Sequence, residues 1–379
     1  MDGPRAVRIH EMDALRKLTD VVFRPGMPEQ YPQLFNAENV ENLRVCFDKR
    51  ICVSHVGMVQ RGALLMGCSI RVCCIGAVAT HPDYRKQGLA SSCFDDAVQK
   101  ARADGVDAMI VSGGRGLYTR NGCLNLGRDF RVTTNSTSFD RSQGQSVTLT
   151  SMFDGNPELV RECYRREPVR FVRPPADYEY FLQSGWAMNS PAETLMIHEK
   201  TDTHQRRGAF LGYAVLRTGE PGKASSLIEY GGDRHAVMAS LPEIFRKYGF
   251  TELSFQVMGS DSVMHALCES GGFDMVPTSA SGTVKLINFP QLMTRMRPRF
   301  TEILGSATAR RLRFEQDGDR YIFALGDETL ELDRDTATRA VFGDLQGLPE
   351  ELNIGAGYLG IELRRILPLP TLWYGINYV

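Results

Sequence analysis

Almost no net charge is left when the ionisable side chains are summed: 44 Lys and Arg stand against 45 Asp and Glu, a formal −1 at pH 7. No global field therefore points to nucleic acid, and no long basic run suggests a membrane surface. Long apolar runs are also missing. The run after Ala63 is broken by Arg71, and the first residues, Met-Asp-Gly-Pro-Arg-Ala, contain no apolar signal core. These absences predict a soluble cytoplasmic protein with neither a nucleic-acid nor a membrane partner. The nine cysteines are scattered, without a Cys-x-x-Cys pair or a histidine at ligand spacing. They read as small apolar core residues, so neither a disulfide framework nor a metal is expected.

What is present starts with an apolar strand predicted over residues 71–79. It is stopped by Pro82 and Asp83 and followed by a basic, glycine-containing turn that opens a helix running to about residue 103. The first turn of a helix offers unpaired N–H groups and positive potential. Gly88 lets the backbone approach an anion, Ala90 keeps the turn open, and Arg85 with Lys86 supply charge. A diphosphate fits this description. The nucleotide P-loop and the dinucleotide fingerprint G-x-G-x-x-G are both absent.

The string Arg85-x-x-Gly88-x-Ala90, behind Val78-Ala-Thr-His-Pro-Asp-Tyr84, closely resembles the pyrophosphate-binding motif of the GCN5-related N-acetyltransferases. The resemblance implies acetyl-coenzyme A as co-substrate, held by Val78, Ala79, Thr80, Arg85, Lys86, Gln87, Gly88, Leu89, Ala90 and Ser91. Tyr118 stands four residues before Gly122, in the position of the family's general acid, although Cys123 replaces the usual aromatic residue after that glycine. A phenol with pKa of about 10 can protonate a departing thiolate of conjugate pKa near 8.5. The proline-rich stretch 23–32 matches part of the family's acceptor pocket and makes Glu29, Tyr31 and Phe35 candidates for amine recognition.

Around this motif, residues 7–9 read as a strand and 11–22 as a helix. Residues 43–47, 51–60 and 63–68 read as an antiparallel meander with a turn at Arg61-Gly62. The helix 89–103 and a strand over 105–111 complete a right-handed βαβ unit. A chain of 379 residues, 42% of them hydrophobic, is long enough for two or three domains. Residues 154–173 turn polar and read as a boundary. Beyond it, Gly232 and Gly249 are 17 residues apart, as are Gly88 and Gly105. This suggests an internal repeat of roughly 130 to 140 residues. The second copy places Gly232-Asp-Arg-His235 where the first has Gly88-Leu-Ala-Ser91, lacks the Arg-Lys pair, and has Cys268 in register with Tyr118. An aspartate at the anion position repels phosphate, so this half reads as structural. Trp186 and His235 are candidates to wall the acceptor pocket.

Residues 283–293 read as a strand, 295–304 as a helix, 311–314, 320–325 and 329–332 as half-buried antiparallel strands, and 335–341 and 349–354 as short helices. This part resembles the sterol-carrier-protein-like domain of the enhanced-intracellular-survival acetyltransferases, and the three-part order matches that group. The uncharged, aromatic tail 367–379 should dock into the body. The resemblance implies that the carboxylate of Val379 reaches the first domain as base for the substrate ammonium. Glu29, His55 and a water chain remain competitors, while His81 reads as structural or solvent-facing. The family ends in an aromatic residue where this sequence has Val379.

The expected architecture is α/β (α+β): a catalytic domain at 1–150, a degenerate acetyltransferase-like domain at 151–290, and a sterol-carrier-like α+β domain at 291–379. The expected reaction is acetyl transfer to a primary amine, of a small molecule or a lysine side chain, by direct attack in a ternary complex. No Cys-His or Ser-His pair argues for a covalent intermediate. Transfer of a longer acyl chain, or a lipid-binding role for the C-terminal part, are the alternatives. The resemblance also implies a homo-oligomer, commonly a hexamer.

Overall fold

The computed structural model describes residues 1–139, 146–201, 208–280, 282–343 and 357–379. The first sheet is built from β1 (Asp2–Ala6), β2 (Leu43–Asp48), β3 (Ile51–Leu65), β4 (Cys68–Thr80) and β5 (Ala108–Val111), of which β2 to β5 are largely buried apolar runs while β1 is a polar, more exposed strand. β1 to β4 are antiparallel neighbours, and β5 lies parallel to β4. The chain crosses to a second sheet for β6 (Asp129–Asn135) and β7 (Val147–Ser151), then returns to lay β8 (Val169–Val172) on β3. The second sheet is completed by β9 (Trp186–Ala187), β10 (Ser190–Glu199), β11 (Phe210–Arg217), β12 (Ala224–Gly232), β13 (Glu252–Val257) and β14 (Met275–Thr278). β15 (Thr283–Leu286) pairs antiparallel with β5 in the first sheet. A third, antiparallel sheet holds β16 (Leu312–Asp317), β17 (Arg320–Leu325) and β18 (Glu328–Leu332). Helices flank each sheet, so the fold is α+β.

The sheets do not divide at residues 150 and 290. β6 and β7 come before the expected boundary yet belong to the second sheet, and β8 and β15 come after it yet belong to the first. Burial explains the exchange. Phe171 of β8 and Leu286 of β15 pack into the apolar cluster of Leu65 and Ile110, whereas Val132 of β6 and Val147 of β7 pack with Ile197 and Leu253.

The turn expected at Arg61-Gly62 is absent, because β3 runs through it with Arg61 opposite Val72. The Arg61 guanidinium bonds Asp177 at 2.6 and 2.9 Å, and Gly62 pairs with Val172 of β8. The chain turns instead at Met66 and Gly67, both at positive φ. The strand expected over 7–9 lies earlier, as β1. The polar stretch 154–173 contains the helix Pro157–Tyr164, capped by Asn156, and β8.

The two parallel pairs, β4 with β5 and β12 with β13, are each joined by a crossover helix of 15 residues, Leu89–Ala103 and Arg234–Tyr248. In the third unit β15 stops at Leu286 and the helix Phe289–Leu304 begins, so the strand expected over 283–293 is shorter. The helix expected over 335–341 is Arg334–Phe342, and the one expected over 349–354 lies outside the described residues. All nine cysteines are buried and free. Among the described residues, no helix is long and apolar enough to cross a membrane.

Candidate active site

β4 and β5 pair only as far as Ile75↔Val111, beyond which β4 continues to Thr80 paired with β3 alone and an opening forms at the carboxyl edge of β5. At the same level Ala77 and Val78 of β4 stand opposite the single residue Val56 of β3. This bulge takes backbone polar groups out of the ladder. Ala77 sits there at φ +51°, an uncommon conformation for a residue with a Cβ.

β4 leads into the basic turn. Tyr84 is tied to Asp48 at 2.8 Å, and the His81 ring accepts the Asp83 N–H at 3.4 Å, which gives His81 the structural place expected of it. Lys86 and Gly88 both take left-handed φ, +63° and +78°. Such alternation curls successive N–H groups into a concave anion nest. Gly88 is the N-cap of the helix Leu89–Ala103 and contributes no side-chain cap. No backbone N–H of residues 86–91 meets a backbone acceptor among the described residues. Arg85 and Lys86 are exposed beside them and form no ion pair with another described residue. The turn thus presents a row of free donors and two cations, a fit for a diphosphate.

The opening leads to a cavity of about 270 Å³ lined by Val78, Tyr31, Tyr118 and Val379, among others. Tyr118 is held by Phe94, ring to ring at 5.8 Å, and its hydroxyl has no hydrogen-bond partner among the described residues. Burial pushes the Tyr118 phenol up to about 12, with the nearby Arg115 charge pulling the other way. It is therefore a weaker acid than the free phenol expected from sequence. Complete transfer to a thiolate of conjugate pKa near 8.5 is uphill by roughly 5 kcal/mol. The side chain is suited to donate a strong hydrogen bond to a departing sulfur, with the proton following later. Tyr31 donates to Asn189 Oδ1 at 2.7 Å and accepts the Asn189 N–H at 3.0 Å, and burial raises its phenol to about 12 as well.

The tail brings Val379 here. Leu369, Leu372 and Tyr374 are buried, and Trp373 packs on Tyr230 at 5.4 Å. Glu229 accepts the Ile376 N–H at 3.2 Å, and Asn377 receives the Arg173 Nε–H. Arg173 and Glu229 form a buried bidentate pair, which Tyr213 joins through a 2.7 Å bond to Glu229. Beyond this anchor, Gln33 donates to the Tyr378 carbonyl at 3.1 Å, and Ser112 Oγ donates to a Val379 main-chain oxygen at 3.3 Å. Gly76 makes room: a Cβ there would overlap the Val379 carbonyl group. No Lys, Arg or His of the described residues pairs with that terminus.

Other residues named from sequence lie elsewhere. Glu29 is exposed and paired with Arg16, outside the cavity lining. Phe35 is buried against the His55 ring at 5.9 Å, in the core. Burial depresses the His55 imidazole to about 4, which leaves it neutral, and it does not line the cavity. His235 is exposed beside Asp233, away from the cavity. Trp186 reaches the cavity only through Arg24, whose guanidinium lies 5.1 Å over its ring. Sequence reasoning missed Gly76, Ser112, Asn189 and Arg24. A glycine inside the apolar strand was the one readable signal, since it marks close backbone approach.

The second sheet repeats the geometry without the chemistry. Tyr118 accepts the Cys123 N–H at 3.0 Å as Cys268 accepts that of Phe273 at 2.9 Å, so the two helix ends correspond. The crossover helix of this half is capped by Asp233, which takes the His235 and Ala236 N–H groups, one residue further on than the sequence comparison placed the match. Arg234 is consumed by Glu167 and Asp261 at 2.6 and 2.7 Å. A larger cavity of about 670 Å³ opens at this edge, where four carboxylates, Glu162, Glu167, Asp233 and Asp261, outnumber the two arginines, Arg166 and Arg234. Asp233 thus takes first-turn donors of this crossover helix, and two carboxylates take its Arg234.

Residues 4–123 match the acetyltransferase (GNAT) domain family. The match ends at Cys123 and takes in β1 to β5, the phosphate turn and Tyr118. None of the curated proteins matches the sequence. Solved structures share the fold along nearly the whole chain. A GCN5-related N-acetyltransferase from Anabaena variabilis is 12% identical, with TM-score 0.65 over 97% of this chain and 98% of its own. A probable N-acyltransferase of Enterococcus faecalis, described as a conserved protein of unknown function, is 13% identical, with TM-score 0.66 over 99% of each chain. Eis1 from Mycobacterium abscessus is 11% identical, with TM-score 0.55 over 86% of this chain and 84% of its own.

Proposed function

We propose that the protein transfers the acetyl group of acetyl-coenzyme A to a primary amine by direct attack in a ternary complex. The observation that carries this reading is the connection of three features along β4: the nest of free donors at 86–91, the Ala77-Val78 bulge, and the cavity shared by Tyr118 and Val379. In this reading residues 85–91 hold the diphosphate, with Val78, Ala79 and Thr80 beside the pantetheine arm. Backbone donors of the bulge polarise the thioester carbonyl as charge develops on its oxygen.

The terminal carboxylate of Val379, buried without a cationic partner, pairs with the acceptor ammonium and takes its proton as the amine attacks. Tyr118 donates to the departing sulfur. The second unit is structural, and the third, sterol-carrier-like unit serves to deliver the tail. Incubating the protein with acetyl-coenzyme A and an amine panel, with thiol release and product mass read in parallel, tests this. An acetylated amine with one equivalent of thiol is expected; no product from any amine removes the reading.

A further inference from the structure

Among the described residues, the charged side chains lining the cavity are Arg24 and Arg115, and no aspartate, glutamate or lysine side chain joins them. Neither arginine forms an ion pair with a described residue. Arg24 uses its Nε and one terminal nitrogen on Gln30 Oε1, rests on Trp186 and interacts with the Tyr31 hydroxyl, so the guanidinium is positioned while no carboxylate of a described residue neutralises it. Arg115 precedes the short helix Gly116–Arg120 and carries no side-chain bond to a described residue. It lines the same cavity as Tyr118.

An acceptor amine reaching Val379 brings one positive charge for one negative charge. A second ammonium, as in a polyamine, would then face two uncompensated guanidinium groups, and like charges in a partly dry cavity repel. An anionic group would instead find two guanidinium charges that no carboxylate of a described residue neutralises. We infer that the acceptor is a small zwitterion, an amine that also carries a carboxylate or a phosphate ester, and that Arg24 and Arg115 select it. This rests on the acetyl-transfer reading above and narrows its substrate class. The cavity volume of about 270 Å³ suits a molecule of amino-acid size.

The test compares amines matched in length: β-alanine and O-phosphoethanolamine as anionic acceptors, 3-aminopropanamide as the neutral one and 1,3-diaminopropane as the dication, with α-amino acids as a size series. At least one anionic amine should exceed the amide and the diamine in kcat/KM by roughly 10-fold or more, the range of a hydrogen bond to a charged group. Carboxylate against phosphate preference identifies the anion. Arg24→Gln should pull the anion-to-amide ratio toward one through KM, and Arg24→Glu should favour the diamine. Should Arg24→Gln fail to fold, Arg115→Gln, at an exposed position, tests the same ratio. Equal or better use of the diamine or amide, or an unchanged ratio in the variants, overturns the inference. Thermal stabilisation of the coenzyme A complex by the same compounds separates the two readings. Anionic amines that bind without turnover retain the anion pocket and remove acetyl transfer, whereas no preferential binding removes the zwitterion.

Discussion

Gly76 and Val379, 303 positions apart in the sequence, are in backbone contact: Val379's carbonyl group occupies the space a Gly76 side chain would need. Gly76 does not take positive φ, so alanine is conformationally acceptable there and Gly76→Ala acts through volume alone. It should push the chain end out of the cavity. A displacement near 1 Å in such a site costs on the order of 10²-fold in turnover. Steady-state kinetics should show that loss, while calorimetry shows acetyl-coenzyme A affinity little changed.

Tyr118→Phe removes the donor to the departing sulfur and leaves the ring contact with Phe94. A drop in kcat of about 10² or more is expected, with the coenzyme Kd retained. The pH profile carries a second signature. Burial raises the phenol to about 12, so it stays protonated throughout the accessible range. The rate should therefore rise with pH as the amine loses its proton and show no fall below about pH 10.

The second half suggests how to disable the first. Gly88→Asp would bring a carboxylate to the first crossover helix, as Asp233 does to the other, though from left-handed rather than extended backbone. The carboxylate would repel phosphate at the first-turn N–H groups. Titration calorimetry should record acetyl-coenzyme A binding weakened by roughly 10- to 100-fold, with the melting temperature lowered because a side chain at the φ +78° of Gly88 is strained.

The tail anchor depends on a buried pair. Removing one partner with Arg173→Met leaves Glu229 charged and enclosed, a loss of about 3–5 kcal/mol in a chemical-denaturation experiment. Adding Glu229→Gln to the same chain should recover part of that stability, because the uncompensated charge is gone.

The phosphate turn was legible from sequence because its chemistry is local: Arg85, Lys86 and Gly88 act through their own backbone. Tyr118 was named through the family resemblance, and it lines the cavity. Glu29 and Phe35 were misplaced since a loop's sequence does not say which side chains turn inward, and Arg16 captures one while the core captures the other. The exchange of β8 and β15 between sheets was hidden because strand partners are chosen by burial across long separations. Arg61-Gly62 mimicked a turn for that reason; the pairing of Arg61 with Asp177 and of Gly62 with Val172 keeps the strand straight.

A crystal structure of the protein with acetyl-coenzyme A tests the central claim most directly. The account predicts the diphosphate on the N–H groups of residues 86–91, the thioester carbonyl beside the Ala77-Val78 bulge, and the sulfur within reach of the Tyr118 hydroxyl. A coenzyme seated at the Arg234 edge of the second sheet, or one whose diphosphate avoids residues 86–91, would contradict it.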